Sequence, residues 1–349
     1  MPNPHPRKKR RTSLRGQSSK QLARALLEEK KTVFVTGAGL SVASGVRPFR
    51  GEEDNGLWEE VIWKTATRSS FRKDPLDWYN KFWLPNFRND NSHKPNEGHL
   101  ALEKISSLFP KSCQIITQNV DGLHEIPHVV EAHGRVGLYK CIPEEDSDTD
   151  SDSDDNEDRP VHLGHRRKSR LIRQRLPEER KENVPNDITI SKPRHPKICR
   201  FQQLDSIRLD EIEPQHVRQA LQMGEKTLSA PPLCPSCARP VPPQALLFDE
   251  GYHSHDFYQF ERMEKVLEEA EVIVFVGTSF QVQITTVALE HARDHAIPVY
   301  NFNTKDVLNS SVRLNVENIL GRCHITLPQL VKDVEELVEE MRQGSRGGL

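Results

Sequence analysis

Short apolar runs rich in β-branched residues recur along the chain, and each ends in glycine or polar residues. The first run is Thr32–Val35, and the others lie in CQIITQNVDGLH (113–124), EVIVFVGTSFQV (271–282) and PVYNFN (298–303). Such runs predict strands buried on both faces of a sheet. Helical patterns occur at 18–31, across most of 55–109, and at 256–270 and 284–295. Strands that alternate with helices predict an α/β fold with a Rossmann-like, doubly wound parallel sheet.

The first run leads into a glycine turn, Gly37-Ala38-Gly39, which suits a nucleotide phosphate close to the backbone. A following helix would direct its free N–H groups at that phosphate. A dinucleotide fingerprint would have a third glycine at Val42, and no P-loop lysine follows. The turn alone fits a strand–turn–helix without ligand equally well. Phe49 and Arg50 favour a nucleotide, because the arginine suits a phosphate and the ring can cover a reactive sugar carbon.

Composition divides the chain into folded and charged parts. Only 35% of residues are hydrophobic and the mean hydropathy is −0.68, so part of the chain is expected to be unfolded. We assign 1–17 to a disordered basic tail, 142–232 to a charged, flexible insertion and 341–349 to a tail. No apolar run is long enough for a membrane span, and no apolar N-terminal segment indicates a secretory signal.

Charge also separates along the chain. The basic run PRKKRR (6–11) indicates a nuclear address, or contact with nucleic acid, or a solvated tail in a cytoplasmic protein. Direct nucleic-acid binding stays open. The acidic serine-rich run at 144–158 cannot form a core. It suits phosphorylation, a solvated loop or an unidentified partner equally.

Six cysteines in this chain fit a reducing compartment and metal ligation better than disulfides. Cys234 and Cys237 have the two-residue spacing of half a zinc site. Upstream, Cys141 and Cys199 are the candidates for the other half. Four thiolates would make a closed, structural zinc site within a small module. The alternative is a degenerate site that holds no metal.

Taken together, the motifs resemble the sirtuins, the NAD-dependent protein-lysine deacylases. The matching motifs are GAGLSVASGV, PFRG, GLW, KPNEGH, ITQNVDGLH, EAHG, CPSC, LLFDE, VGTSFQV, the FN of PVYNFN and GRC. They cover roughly 18–141 and 233–340. The resemblance implies a Rossmann-like domain, a smaller zinc-binding and helical module, and a cleft for NAD and an acyl-lysine between them.

The resemblance also assigns roles to individual residues. It makes His133 the catalytic histidine, with Asn119 and Asp121 beside the nicotinamide and its ribose. It implies a substrate-pairing strand with Leu247, Phe248, Asp249 and Glu250. Further NAD contacts would come from Gly37, Ala38, Gly39, Ser41, Ser44, Phe49, Arg50, Gln118, Gly277, Thr278, Ser279, Asn303 and Cys323. The alternative for His133 is a structural role, since the chain has fifteen histidines. We interpret His124 as structural.

Three departures from the family pattern bear on function. Arg47-Pro48 replaces the usual Pro-Asp before Phe49, which adds charge at the cofactor loop. Asp249 replaces a glycine, so a carboxylate would stand beside the substrate and favour basic flanking residues. The window Tyr79–Phe82 lacks the arginine of sirtuins that remove acidic acyl groups, which favours acetyl or another neutral acyl group.

The predicted reaction is NAD-dependent deacylation of protein lysines, possible substrates being histones or other nuclear proteins, with release of nicotinamide and O-acyl-ADP-ribose. An ADP-ribosyltransferase or NAD glycohydrolase in the same cleft is the enzymatic alternative. A catalytically inactive NAD-binding scaffold is the third hypothesis, and Asn119, Asp121 and His133 argue against it.

Overall fold

The computed structural model describes residues 7–46, 62–87, 93–143, 199–306 and 314–346. The chain divides into two compact units, one formed by 1–142 with 199–349 and the other by 143–198. Nearly all of the second unit lies outside the described residues, as do Arg47, Pro48, Phe49 and Arg50.

A six-stranded parallel sheet in the order β3-β2-β1-β7-β8-β9 forms the larger layer of the first unit. Its strands are β1 (Thr32–Thr36), β2 (Cys113–Thr117), β3 (Val130–Glu131), β7 (Val272–Val276), β8 (Val299–Asn303) and β9 (Val316–Leu320). From β1 the chain adds β2 and then β3 on one side, and it later adds β7, β8 and β9 in turn on the other side. The gap between the carboxyl ends of β1 and β7 is therefore the switch point at which such sheets bind ligands.

Helices cover both faces of the sheet, which confirms the doubly wound α/β prediction. The α-helices whose bounds the structure describes are α1 (Arg7–Leu27), α2 (Arg68–Lys73), α3 (Pro75–Trp78), α4 (Leu84–Asn86), α5 (Glu97–Leu108), α6 (Gln215–Gln222), α7 (Phe260–Glu268), α8 (Gln283–Asp294) and α9 (Cys323–Arg346). One core cluster joins one face of the sheet to α1, α5 and α9, and another joins the opposite face to α7 and α8. Within the described ranges, no helix has the length and apolar character needed to cross a membrane.

The termini are more helical than the sequence predicted. Helix α1 begins at Arg7, inside the stretch that we expected to be disordered, and α9 continues to Arg346 in the predicted tail. Arginine and lysine are good helix formers, and the helix begins directly after Pro6, the last proline of the N-terminal run. Charge alone was thus a poor guide to the start of the fold.

The smaller module contains a three-stranded antiparallel sheet in the order β5-β4-β6. Its strands are β4 (Gly134–Tyr139), β5 (Ile207–Arg208) and β6 (Pro243–Ala245). A third core cluster lies here and includes Trp78 and Trp83, whereas Trp63 is 46% exposed. The predicted insertion boundary at 232 differs from the structure, because ordered elements resume at Cys199.

The reason for that difference is local burial within the stretch. Phe201, Ile207, Ile212 and Val217 are all buried in the core of the small module. In α6, Val217, Ala220 and Leu221 are spaced to share one helix face, which is a recognisable apolar signal. The high average charge of 142–232 obscured it.

Candidate active site

Two glycine loops meet at the switch point between β1 and β7. The N–H of Gly37 donates to the Val276 carbonyl at 2.9 Å, and that of Gly39 to the Gly277 carbonyl at 2.8 Å. Gly277 has φ +60°, and a Cβ there would lie 2.6 Å from the backbone of Gly39 and Leu40. These glycines therefore permit close contact between two loops. The Gly39 N–H is therefore engaged within the protein.

The helix that follows the first glycine loop is a short 3₁₀ helix, Ala38–Ser44. It places Ser41 fully buried behind the loop. Ser44 accepts a hydrogen bond from the Asn96 amide at 2.9 Å. Ala38 is half-buried, so its neighbourhood is open to a ligand on one side.

A buried polar network joins this helix to the loop after β2. The Ser41 hydroxyl donates to Asp121 Oδ2 at 2.6 Å. The Asn119 amide donates to Ser41 Oγ and to the Gly37 carbonyl, each at 3.1 Å. Asp121 Oδ1 accepts the N–H of Leu123 at 3.0 Å. The network fixes the orientation of the asparagine and aspartate that the resemblance assigns to nicotinamide and ribose.

His99 belongs to the same network, although the sequence analysis assigned it no role. Its Nδ1 accepts the Asn96 N–H at 3.3 Å, so the proton of the neutral ring is on Nε2, which faces Ser41 Oγ at 3.4 Å. Burial lowers the pKa of His99, and the charge of Asp121 opposes that effect. The signal in the sequence was the capping position of Asn96, three residues before His99.

His124 packs beneath this network with its ring 5.2 Å from that of His99. Its Nε2 faces Thr36 Oγ1 at 3.3 Å. Burial, with the nearby His99 and Arg135, lowers the pKa of His124 to about 3. A permanently neutral ring under the loop agrees with the structural role predicted for it.

His133 lies in the turn between β3 and β4, at the carboxyl end of the parallel sheet. Its Nε2 is 3.1 Å from the hydroxyl of Tyr252, and the two rings stack at 5.9 Å. Burial lowers the pKa of His133 to about 4, and a hydrogen bond to the main chain of Gln118 opposes that shift. The imidazole is therefore neutral near pH 7, as a general base must be. Tyr252 was missed by the sequence analysis.

The remaining predicted NAD residues in the described ranges lie after β2 and β7, at the end of β8 and at the start of α9. Gln118 approaches Thr278 at 3.4 Å through their side chains, and Asn303 donates to the Thr278 carbonyl at 2.9 Å. Ser279 is exposed. Cys323 is buried against the Phe302 carbonyl, and burial raises the pKa of its thiol to about 12, which makes it a packing residue and not a nucleophile. Phe49 and Arg50 lie outside the described residues.

The four cysteines predicted to bind zinc converge in the small module. Their sulfur atoms all lie within 4.8 Å of one another, with Cys141 and Cys237 at 3.4 Å and Cys199 and Cys234 at 3.6 Å. Tetrahedral zinc with Zn–S bonds of about 2.3 Å needs sulfurs about 3.8 Å apart. These spacings exceed a disulfide bond and fit that requirement, so the residues suit a closed, structural zinc site.

The segment 246–250, which was predicted to be a substrate-pairing strand, is not a strand in this structure, because β6 ends at Ala245. It begins beside His133, whose carbonyl accepts the Leu246 N–H at 2.9 Å. Leu247 is buried in the small module, whereas Phe248 is 44% exposed. Its ring centroid lies 3.9 Å from that of Trp63, and the two rings are tilted by 30°. The N–H of Phe248 donates to the Ala66 carbonyl at 2.9 Å. That donor is occupied within the protein.

Asp249 and Glu250 are committed to the protein rather than to a substrate. The Asp249 carboxylate accepts the N–H groups of Arg68 and Ser69 at 2.7 and 3.1 Å, at the start of α2. Glu250 is fully buried and pairs with Lys140 and Arg68, each at 2.5 Å. The predicted attraction of Asp249 for basic flanking residues does not follow from this arrangement.

Comparison with known proteins connects this geometry to one family. Residues 37–284 match the model of the Sir2 family. NAD-dependent deacetylase sir2E of Dictyostelium discoideum is 31% identical over 332 residues, which cover 93% of this chain and 80% of that protein. An NAD-dependent protein deacetylase of Sulfurisphaera tokodaii is 37% identical over 141 residues, covering 39% of this chain and 55% of that protein.

Solved structures share the fold at lower identity. A Sir2 homologue in complex with NAD superposes with a TM-score of 0.56 at 20% identity, covering 91% of this chain and 94% of that one. A Sir2 protein bound to a myristoylated histone peptide superposes with a TM-score of 0.54 at 18% identity, covering 93% and 99%.

Proposed function

The chain belongs to the Sir2 family, and from that premise we propose that it is an NAD-dependent protein-lysine deacylase acting on acetyl or another neutral acyl group. The supporting observation is the buried network of Ser41, Asn119 and Asp121 beside the switch point. NAD, when bound, supplies the ADP-ribose that accepts the acyl group.

Each part of the site has a task in this proposal. The glycine loops after β1 and β7, with Gln118 and Asn303, would hold NAD. Asn119 and Asp121 are fixed by Ser41, so they present a preorganised polar surface at low entropic cost. His133 is neutral near pH 7 and would accept a proton from a sugar hydroxyl. Zinc would stabilise the small module without touching the reaction.

The acyl preference is supported by the window at Tyr79. The Tyr79 hydroxyl donates to the Val241 carbonyl at 2.7 Å and is fully buried. Lys81, the cation of that window, pairs with Asp77 at 2.8 Å. Neither group is placed to neutralise a succinyl or malonyl carboxylate, which supports a neutral acyl substrate.

The test is deacetylation of an acetyl-lysine histone peptide with NAD, followed by mass spectrometry of peptide, nicotinamide and O-acetyl-ADP-ribose. We expect His133→Ala to reduce turnover at least about a hundredfold, because it removes the general base. His216→Ala, an exposed histidine on α6, is the matched control. A succinylated peptide should react far more slowly.

Two results would overturn the proposal. Nicotinamide release at the same rate with and without peptide would indicate an NAD glycohydrolase, and label transferred to a protein would indicate an ADP-ribosyltransferase. The nuclear destination rests on PRKKRR alone and is part of the same proposal. Substitution of its basic residues by alanine in a fluorescent fusion should abolish nuclear accumulation, and unchanged accumulation would refute it.

A further inference from the structure

Arg239 directs its guanidinium group at the cluster of four cysteines in the small module. Its Nε donates to Cys237 Sγ at 3.4 Å, and its Nη2 donates to Cys141 Sγ at the longer distance of 3.9 Å. The two sulfurs that it contacts are 3.4 Å apart. Cys237 is the half-buried member of the cluster, whereas the other three cysteines are buried. The arginine therefore lies where the cluster is least buried.

The main chain around the cysteine pair fixes the position from which this side chain starts. The N–H of Cys234 donates to the Arg239 carbonyl at 2.8 Å, and the N–H of Ala238 donates to the Cys234 carbonyl at 2.9 Å. Ala238 has a φ of +57°, which turns the chain back on itself. The following Pro240 restricts Arg239 to an extended conformation. Arg239 is thus held opposite Cys234, and little entropy is lost when its side chain reaches the neighbouring sulfurs.

The charge of an occupied zinc site favours this contact. When zinc is bound, one Zn²⁺ ion and four thiolates carry a net charge of about −2. A net charge in a buried site is costly unless it is paired or hydrogen-bonded. The guanidinium is always protonated and presents its N–H groups in a planar fork. Arg239 therefore offsets part of that charge and donates to two ligand atoms with one side chain.

We propose that Arg239 supports the zinc site from outside the set of metal ligands: its guanidinium bridges Cys237 and Cys141, offsets the charge of the thiolates and strengthens the binding of zinc. Groups that hydrogen-bond to metal ligands typically contribute about ten- to a hundredfold to metal affinity. The role concerns the stability of the small module and does not depend on the proposed deacylation.

The first measurement is the zinc affinity of the full chain, obtained by competition with a chromophoric chelator. We expect Arg239→Ala to raise the dissociation constant for zinc about ten- to a hundredfold. Arg239→Lys should give an intermediate value, because lysine keeps the charge and lacks the planar fork. Arg218→Ala is the matched control, since this half-buried arginine of α6 donates to the Asp210 carbonyl. It should leave the dissociation constant within about twofold of the wild type.

Cobalt(II) in place of zinc gives a second readout that a merely structural arginine would not move. A hydrogen bond donated to a metal-bound sulfur stabilises the electrons on that sulfur, so more energy is needed to move one to the metal. Loss of the donor in Arg239→Ala should therefore shift the sulfur-to-cobalt charge-transfer absorption to longer wavelength. Arg218→Ala should leave the absorption unchanged.

Several results would overturn the inference. They are a zinc dissociation constant in Arg239→Ala within about twofold of the wild type, an equal loss in Arg218→Ala, an unmoved cobalt absorption, or full recovery by Arg239→Lys. A wild-type chain that binds no zinc would overturn it together with the zinc assignment. Thermal melting checks folding, and Arg239→Lys carries the test if Arg239→Ala does not fold. A wild type that binds zinc but does not deacetylate would refute the proposed function alone.

Discussion

Glu250→Gln is the sharpest test of how the segment 246–250 is held in the small module. The Glu250 carboxylate is fully buried and accepts three donors, Lys140 Nζ, Arg68 Nε and the Leu247 N–H, the last at 2.8 Å. Lys140 is 1% exposed, and its remaining partners are the Ala245 carbonyl and the Tyr258 hydroxyl. The substitution keeps the shape and removes the charge that balances a buried ammonium.

The magnitude follows from the pKa of Lys140. Burial lowers that pKa from 10.5 to about 8, and the charge of Glu250 opposes the shift. At neutral pH, keeping Lys140 charged in the folded wild-type protein already costs about 3 kcal/mol of stability. Without the carboxylate, Lys140 can release its proton and be buried as a neutral amine. The total cost of burying Lys140 at pH 7 therefore cannot exceed the cost of that deprotonation, about 5 kcal/mol. The further loss through Lys140 is then about 1 to 2 kcal/mol, and the weakened bond to Arg68 adds about 1 kcal/mol. We expect a loss of about 2 to 3 kcal/mol in the free energy of unfolding.

The loss should depend on pH in a defined direction. The folded pKa of Lys140 lies below its unfolded value, so the folded state binds fewer protons and stability rises with pH between the two. Above about pH 9, Lys140 is neutral in the folded wild type and in folded Glu250→Gln. Its contribution to the difference in stability between the two proteins then disappears. Glu250 has a lowered pKa, so its stabilising effect is present above its unfolded value and is lost as the pH falls.

Urea unfolding of both proteins at pH 7 and pH 9.5, followed by tryptophan fluorescence, measures this dependence. The signal is suitable because Trp78 and Trp83 pack in the core cluster of the small module, which also contains Leu247. Glu269→Gln is the control, because its pairing with Lys265 is on the surface and should contribute nothing measurable. A loss below about 0.5 kcal/mol at pH 7, or one that grows toward pH 9.5, would refute the reasoning.

Three further predictions concern the metal and the NAD loops. Cys199→Ser should reduce the zinc content per chain measured by mass spectrometry, and full retention would remove that cysteine from the site. Gly277→Ala should destabilise the protein by about 2 kcal/mol or more in thermal melts, because its φ of +60° and the 2.6 Å backbone contact exclude a Cβ. Gly251→Ala is its control, since open space surrounds that position, and equal melting temperatures would contradict the steric argument. Ser41→Ala should lower deacetylation about ten- to a hundredfold without unfolding the protein, because Asp121 loses its 2.6 Å donor; unchanged steady-state kinetics would show that the network is only structural.

The parallel sheet could be predicted because its central strands are locally encoded. Strands β1 and β7 are buried at every position and read as continuous apolar runs. Strand β9 was missed because only Ile319 is fully buried and its other positions are half-exposed, as suits an edge strand. Burial on both faces leaves a signal in a single sequence, whereas an edge strand depends on its neighbour.

The small module was harder to predict because its contacts are distant in sequence. Cys141 and Cys199 are separated by the charged segment, yet their sulfurs belong to one cluster. The sequence still identified all four residues, because the spacing of Cys234 and Cys237 indicated half a zinc site and Cys141 and Cys199 were the upstream candidates for the other half. Apart from the apolar face of α6, the surrounding core gave no comparable signal, since short stretches such as Ile207–Arg208 become strands only by pairing with β4.

The roles of Asp249 and Glu250 could not be predicted from the sequence motif alone. A carboxylate beside a predicted substrate suggests charge recognition, but the α2 amides occupy Asp249 and buried cations occupy Glu250. Both side chains thus attach the segment 246–250 to the small module, and the buried pair makes that attachment dependent on pH. Sequence preference toward peptides would have to come from exposed groups such as Phe248 and Trp63, whose rings contact each other at the surface. We therefore expect Asp249 and Glu250 to determine the rigidity of the segment 246–250, and the exposed rings of Phe248 and Trp63 to determine its peptide preference.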